Sequence, residues 1–375
     1  MERVHSVPQE TYTAFSNSIH SKVLEKNIPI DGTIELTQRC NLKCVQCYCC
    51  HDPSKRELSY DEICRILDEI AEAGCLWLLI TGGEPLLRPD FLDIYMYAKK
   101  KGFLITLFTN ATLVTPEILD HLSKYPPFSI EVSVYGATKE IYEKITGVTG
   151  SFESCMAGIK LILDRKLPLK LKTMAMALNH HEVSQMKEWS EGMGIEFRFD
   201  AMLHPKLTGL KDPWDVRLSP EDAVALDGSD QKKLDAWREV CKHPWEPSQN
   251  GRLFTCGAGK NSFHIDPYGY LRPCDMMRTF SYDLRKHSFR EAWVEMCSAV
   301  SVEKAPGDYK CRGCKMTFIC NQCPGWGFLE NGDIYSISEN MCDVAQLRAR
   351  KFGAGSGNTK GGMSNEEEIL SKAQR

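Results

Sequence analysis

Three cysteines stand within eight residues in the run Thr37-Gln38-Arg39-Cys40-Asn41-Leu42-Lys43-Cys44-Val45-Gln46-Cys47. Thiolates at this spacing can wrap a compact metal centre, but three of them leave a four-iron cubane one ligand short, so one iron stays open to a substrate. The competing chemistry is zinc, which closes its tetrahedron with a fourth ligand such as Cys49, Cys50 or His51. A second group is Thr81-Gly82-Gly83-Glu84-Pro85. Its two glycines let backbone approach a ligand closely, and a carboxylate with exposed carbonyls accepts hydrogen bonds from an ammonium, such as that of an amino acid. The glycine spacing matches neither a Walker sequence nor a dinucleotide fingerprint, and the plainer alternative is a tight turn between strand and helix. A third concentration is Cys256, Cys274, Cys311, Cys314, Cys320, Cys323 and Cys342. A zinc ribbon separates its two CxxC pairs by about 15–20 residues. Here Cys314 and Cys320 leave only five between them, which favours clusters over zinc.

The rest of the composition narrows the chemistry. The chain has 375 residues and 17 cysteines, an odd number in a chain too long to need disulfide staples. Lys plus Arg number 46 against 50 Asp plus Glu, a net charge of −4, so there is no polybasic field for nucleic acid or an anionic membrane. No apolar run approaches the roughly 18 residues that span a bilayer. Met1 to His20 lacks the apolar stretch of a secretion signal, so the expected compartment is the cytoplasm. Metal or redox chemistry in a cytoplasmic protein is the reading that fits the cysteines.

Elements that would position these residues alternate from Thr33 to Phe199. Short apolar runs at Ile34/Leu36, Leu76–Ile80, Phe103–Thr109, Phe128–Val134, Leu169–Ala177 and Ile195–Phe199 read as strands. Between them, Ser59 and Glu62 form a capping box ahead of a helix with Ile63, Leu67 and Ile70 on one face. Helices also fit Pro89–Lys101, Thr115–Lys124, Phe152–Arg165 and His181–Glu191. Six β/α units demand a parallel sheet with its sites at the C-terminal ends of the strands. Ser219-Pro220 opens a short helix beyond them. From Thr255 to Cys342 the chain looks too poor in apolar runs for an ordinary core and is expected to be held by metal.

CxxxCxxC after the first strand together with GGEP after the second resembles the radical S-adenosylmethionine (radical SAM) superfamily, over about Thr33 to Met202. The resemblance implies a partial (β/α)6 TIM-type barrel in which Cys40, Cys44 and Cys47 hold a 4Fe-4S cluster, with SAM chelating the fourth iron. It places Gly82, Gly83 and Glu84 at the methionyl ammonium, Ser133 at the ribose and, more weakly, Asn110 near SAM. Gln46 stands where the family commonly has an aromatic residue or His, and Tyr48 is the residue able to compensate. The later cysteines resemble the SPASM extension named for subtilosin, pyrroloquinoline quinone, anaerobic sulfatase and mycofactocin maturation. By that pattern Cys256, Cys274 and Cys323 hold auxiliary cluster I, and Cys311, Cys314, Cys320 and Cys342 hold auxiliary cluster II. The family's CxxxC is shortened here to Cys320-Asn321-Gln322-Cys323, and Ser262 replaces a cysteine that sulfatase-maturing relatives carry.

The implied organisation is a lead segment 1–30, a radical SAM core 31–204, a connector with short helices 205–250, a small Cys-rich iron-sulfur domain 251–346 and a flexible tail 347–375. The implied activity is reductive cleavage of SAM for hydrogen-atom abstraction, modifying a ribosomally made peptide by crosslinking or another oxidation. Partners on this reading are a peptide or protein substrate, a low-potential electron donor such as flavodoxin or ferredoxin, and a separate leader-binding protein. Asp275 follows Cys274 where sulfatase-maturing relatives place a substrate base, and the plainer alternative is a loop-stabilising aspartate. Alternatives are formylglycine formation on a sulfatase, modification of a small molecule such as a tetrapyrrole, and, from another class, a zinc-bound non-catalytic interaction protein. Met174 and Met176 could line an adenine pocket or fill the core, His180-His181 reads as exposed, and Lys166 to Lys172 reads as a solvated basic patch able to guide an acidic peptide.

Overall fold

The computed structural model describes residues 11–24, 26–242, 251–320 and 322–353. After a first helix, α1 (Tyr12–Leu24), the β/α alternation runs β1 (Asp31–Glu35), α2 (Tyr60–Glu72), β2 (Trp77–Thr81), α3 (Phe91–Lys100), β3 (Leu104–Thr109), α4 (Pro116–Lys124), β4 (Ser129–Ser133), α5 (Lys139–Thr146), α6 (Ser151–Asp164), β5 (Leu169–Met174), α7 (Val183–Gly192) and β6 (Glu196–Asp200). All six strands pair in parallel in the order of the chain, forming the parallel sheet that the alternation of elements demands and the partial barrel that the resemblance implies. Local signals explain the boundaries. Ser59 accepts from the Glu62 backbone N–H while Glu62 reaches back to Ser59, and Ile63, Ile66, Leu67 and Ile70 are buried on the face this creates. Thr115 and Thr138 cap α4 and α5 with their side-chain oxygens alone, accepting from the backbone N–H of Ile118 and Ile141.

α1 was not legible in the sequence, because none of its residues is buried and no apolar stripe marks it. It closes the N-terminal end of the sheet. His20 stacks on Trp77 with ring centroids 5.1 Å apart and meets Asp31 at 2.5 Å, and Tyr12 lies 5.0 Å from Phe128. The opposite, C-terminal end therefore carries the opening.

Beyond β6 come α8 (Pro220–Ser229), capped by Ser219 as its sequence predicts, and α9 (Gln231–Lys242). Then follow β7 (Ser262–Ile265), β8 (Tyr270–Arg272), β9 (Tyr282–Asp283), α10 (Phe289–Val302), α11 (Pro324–Asn331) and α12 (Glu339–Gly353). The expectation that Thr255 to Cys342 lacks an ordinary core is corrected here. β7 pairs in parallel with β1 and, with β8 and β9, extends the sheet to nine strands. α10 carries its own capping box, Ser288 with Glu291, and buries Phe289, Ala292, Trp293, Met296, Cys297 and Val300 in the same core as the barrel helices. Phe263 of β7 meets Phe289 at 4.9 Å and reaches over Gly32 of β1, where a Cβ would stand 2.4 Å from its ring. The flexible tail is corrected at its start: residues 347–353 complete α12, whose Arg348 donates to Asp227 of α8 at 2.9 and 2.7 Å. The remaining tail, 354–375, and the first ten residues lie outside the described residues.

Because Trp293 joins α10 to β7 in one core, Trp293→Ala should cost about 3–5 kcal/mol. Urea denaturation should show that loss in a single transition, and a loss near zero would mean that the C-terminal segment stands apart from the barrel core.

Candidate functional site

A cavity of about 580 Å³ opens at the C-terminal ends of β1 to β6. Cys40, Cys44 and Cys47 form one wall, Gly82 and Gly83 a second, and Asn110, Ser133, Met174 and Arg198 lie around the rest. The cysteine loop is held from two sides. Lys43 and Val45 donate backbone N–H to the carbonyls of Thr146 and Ile145 at 2.8 and 3.0 Å. Gly83 donates to the Thr37 carbonyl at 2.7 Å and Glu84 to the Arg39 carbonyl at 2.9 Å. A Cβ on Gly83 would stand 2.3 Å from the Arg39 oxygen, and one on Gly82 2.3 Å from the Thr37 oxygen, so both glycines are there for close backbone approach. Burial pushes the Cys40 and Cys44 thiols up, and their mutual repulsion with Cys47 adds to it. Deprotonating all three without a cation between them is therefore unfavourable. Among the described residues no three His, Cys, Asp or Glu side chains stand in a ready metal-ligating arrangement. What the chain supplies is three soft donors beside a glycine cradle in one cavity, a donor set that fits a cubane with one open corner and an amino-acid ligand on it.

Glu84 departs from the expectation that it faces an ammonium. It is absent from the cavity wall and fully buried, accepting from the Thr109 hydroxyl at 2.8 Å and the backbone N–H of Asn110 and Leu86 at 2.7 and 3.1 Å. Burial raises its carboxyl to about 7 against these donors. Glu84 therefore positions Asn110, whose amide donates to Asn41 at 3.0 Å and approaches the Cys40 sulfur at 3.8 Å.

Ser133 lines the cavity at the end of β4, beside Tyr135 and Gln46. Tyr48 lines it too and packs on His204 at 5.3 Å, which in turn meets Trp326 of α11 at 5.7 Å. The two methionines divide: Met174 lines the cavity, and Met176 fills a core with Ile145 and Leu203. The solvated basic patch is corrected at Lys172, whose side chain is only 17% exposed and points into the cavity. Lys172 and Arg198 both contact one oxygen of Glu131, at 3.5 Å for Lys172. Strand alternation turns Lys172 inward, a signal that the run of lysines concealed. His181 is exposed as expected, but His180 is half-buried.

The seven later cysteines fall into two electrostatic groups. Burial raises Cys274 first, then Asp275 and Cys323 add to it, and Cys323 in turn feels Cys256. Cys320 and Cys342 are raised by burial and then by Cys311 and Cys314. Asp275 lies beside Cys274 outside the cavity wall, where its Oδ1 accepts from the Met276 N–H at 2.8 Å. Among the unassigned cysteines, Cys64, Cys75, Cys155 and Cys297 are buried, whereas Cys49, Cys50 and Cys241 are only half-buried. Cys49 lines the cavity and hydrogen-bonds Cys47, which draws the Cys47 thiol down. Its CxC spacing to Cys47 was the available signal.

Residues 34–190 match the model of the Radical SAM superfamily. The chain is 28% identical over 337 residues to the AdoMet-dependent heme synthase of Methanosarcina barkeri, covering 82% of this chain and 94% of that one. It is 29% identical over 349 residues to the PqqA peptide cyclase of Bradyrhizobium diazoefficiens, covering 87% and 89%. Streptococcus suis SuiB, solved with its precursor peptide SuiA, has the same fold, with a TM-score of 0.67 at 15% identity over 91% of this chain and 83% of that one. Residues 34–190 carry a radical SAM domain, and the chain is similar over most of its length to radical SAM enzymes, so it is an enzyme with a Cys-rich C-terminal region, which removes the zinc-bound, non-catalytic reading. The radical SAM match implies SAM and a 4Fe-4S cluster.

Gly83→Ala should push the Arg39 carbonyl away and weaken SAM binding by at least about tenfold, or about 1.4 kcal/mol. Equilibrium binding to reconstituted protein reads this directly, and an unchanged affinity would mean that the close approach does not shape the site.

Proposed function

We propose that this radical SAM enzyme modifies a ribosomally made peptide in the cytoplasm, by crosslinking or another oxidation. When bound, the cluster and SAM supply a 5′-deoxyadenosyl radical that takes a hydrogen atom from an unactivated carbon. Cys40, Cys44 and Cys47 hold the cluster. The backbone of Gly82 and Gly83 takes the SAM ammonium, Ser133 orients the ribose, and Asn110, fixed by Glu84, steadies the Cys40 side of the loop. Phe108, Met174 and Tyr48 line the cavity and keep water from the reacting carbon. Cys256, Cys274 and Cys323 hold one auxiliary cluster, and Cys311, Cys314, Cys320 and Cys342 the other. Asp275 acts on that auxiliary side rather than at the cavity wall. The observation that carries the reading is the meeting of the CxxxCxxC thiols, the Gly82-Gly83 backbone and Ser133 around one cavity. The likeness to PqqA peptide cyclase over most of both chains supports a peptide substrate. A separate leader-binding protein completes recognition on this reading.

A second reading has its own support. The heme synthase relative aligns over 94% of its length, and the Lys172–Arg198 pair in the cavity suits a substrate with carboxylates, as a tetrapyrrole has. Formylglycine formation is disfavoured by Ser262, which opens β7 where sulfatase-maturing relatives carry a cysteine.

Anaerobically reconstituted enzyme should carry about twelve irons and release 5′-deoxyadenosine on reduction with SAM. Replacing Cys40, Cys44 and Cys47 together by Ala should abolish that product and leave about eight irons; persistence of the product would refute the assignment. With a candidate precursor peptide, mass spectrometry should find loss of two hydrogens and a new covalent link. Turnover of a tetrapyrrole and of no peptide would select the second reading.

A further inference from the structure

The β4–β6 side of the cavity brings two cations onto one carboxylate oxygen. Ser133, Lys172 and Arg198 stand in register across β4, β5 and β6, and all three line the cavity. Lys172 and Arg198 both reach Oε2 of Glu131, which lies two residues before Ser133 on β4, at 3.5 Å for Lys172. In the next row back, Lys170 and Glu196 neutralise each other at 2.8 Å. Asp200 also lines the cavity, but its Oδ1 accepts from the Met202 N–H at 2.8 Å and no ion pair joins it to either cation among the described residues. The Lys172 ammonium lies over the Phe108 ring, and the Arg198 guanidinium stands 6.0 Å from the same ring centre, so the pair rests on an apolar floor. Burial pushes Lys172 well below its ordinary value; Glu131 opposes this and Arg198 adds to it. Side-chain exposure rises from 11% at Glu131 through 17% at Lys172 to 54% at Arg198, so an arriving group meets the guanidinium first.

We propose that Lys172 and Arg198 form a carboxylate subsite that selects substrates with an acidic group near the reacting carbon, and that Glu131 is the internal carboxylate holding the two cations until that group arrives. The inference rests on the reading above that SAM and substrate share this cavity. On that reading the carboxylate of SAM is committed to the open iron at the loop after β1, whereas the cation row lies on β5 and β6, next to the strand end assigned to the ribose. A planar guanidinium and an ammonium on neighbouring strands grip a carboxylate through charge-assisted hydrogen bonds. A second anion also relieves Lys172, whose charge a single shared oxygen compensates only in part. An amide of the same shape supplies neither gain, so the pair discriminates acid from amide. The carboxylate comes from an Asp or Glu side chain of a peptide, or from a substituent of a tetrapyrrole on the second reading. No bond forms or breaks in this step; the subsite fixes position and choice of substrate.

The test measures dissociation constants on reconstituted, SAM-saturated enzyme with two matched pairs of probes. One pair is the capped tripeptide Gly-Glu-Gly and its Gly-Gln-Gly counterpart; the other is a porphyrin bearing four propionates and its tetra-amide. The unaltered enzyme should bind an acid about tenfold more tightly than its amide. Lys172→Met and Arg198→Met should remove that preference, whereas Glu131→Gln, which frees both cations, should raise acid affinity by about tenfold. Lys160→Glu, a charge reversal on α6, should change nothing. The opposite signs expected at positions 131 and 172 separate the subsite from a general loss of folding, which would weaken binding in both variants. Preference within the tripeptide pair supports the subsite and the peptide reading together. Preference within the porphyrin pair alone supports the subsite and overturns the peptide reading. Equal affinity for acid and amide in both pairs, in enzyme that binds SAM and releases 5′-deoxyadenosine, would overturn the subsite and leave the SAM chemistry intact. A loss of SAM affinity in Lys172→Met as large as its loss of acid affinity would assign the cations to SAM and also overturn it.

Discussion

The architecture of the site depends on one close approach. The turn after β2 lies against the chain leaving β1, with Gly83 donating to Thr37 at 2.7 Å and Glu84 to Arg39 at 2.9 Å. Side chains at positions 82 and 83 would collide with those carbonyls at 2.3 Å. The contact sets the height of Cys40 above the strand ends and turns the glycine backbone toward the cavity. Glu84 is then committed inward, and its buried carboxylate holds Thr109 and Asn110 in place beneath the cysteine loop. A buried carboxylate with three donors is stable where an unpaired one would cost several kcal/mol. Positioning of the metal side and the nucleotide side of the site thus comes from a single backbone contact.

The second constraint is the continuity of the sheet. Because β7 pairs with β1, the cysteine-rich segment is tied to the strand that leads into Cys40. Between β1 and β7 lies a buried polar group: Glu35 faces His264 at 3.8 Å, and Asp266 takes Arg272 at 2.5 Å. Burial holds the Glu35 carboxyl up at about 7 and pushes His264 down, so both groups are shifted toward their neutral forms. Tyr48, His204 and Trp326 add an aromatic bridge from the cavity to α11. The two sets of later cysteines are therefore fixed relative to the barrel by ordinary packing.

Much of this was legible in the sequence, for physical reasons that differ by element. Strands β1 to β6 are buried on their outer faces and so read as apolar runs, and α2 is marked by its capping box and a regular stripe. The signal for α10 was present, since Phe289, Trp293, Met296 and Val300 recur at helical spacing behind Ser288. The surrounding density of Cys, Gly and Pro masked it. α1 left no signal because it buries nothing. For the site, spacing located the cysteines and glycines, because those chemistries depend on residue type at fixed intervals. The direction of Glu84, the inward turn of Lys172 and the place of Cys49 beside Cys47 depend on tertiary packing, which local pattern does not encode.

The central claim is that one iron of the cluster at Cys40, Cys44 and Cys47 takes its fourth ligand from SAM. Electron–nuclear double resonance on the reduced enzyme with SAM labelled at its ammonium nitrogen and carboxylate oxygen measures this directly. The account predicts couplings from both labels to that cluster. Absence of both couplings in protein that has bound SAM, with all four irons held by side chains, would contradict it.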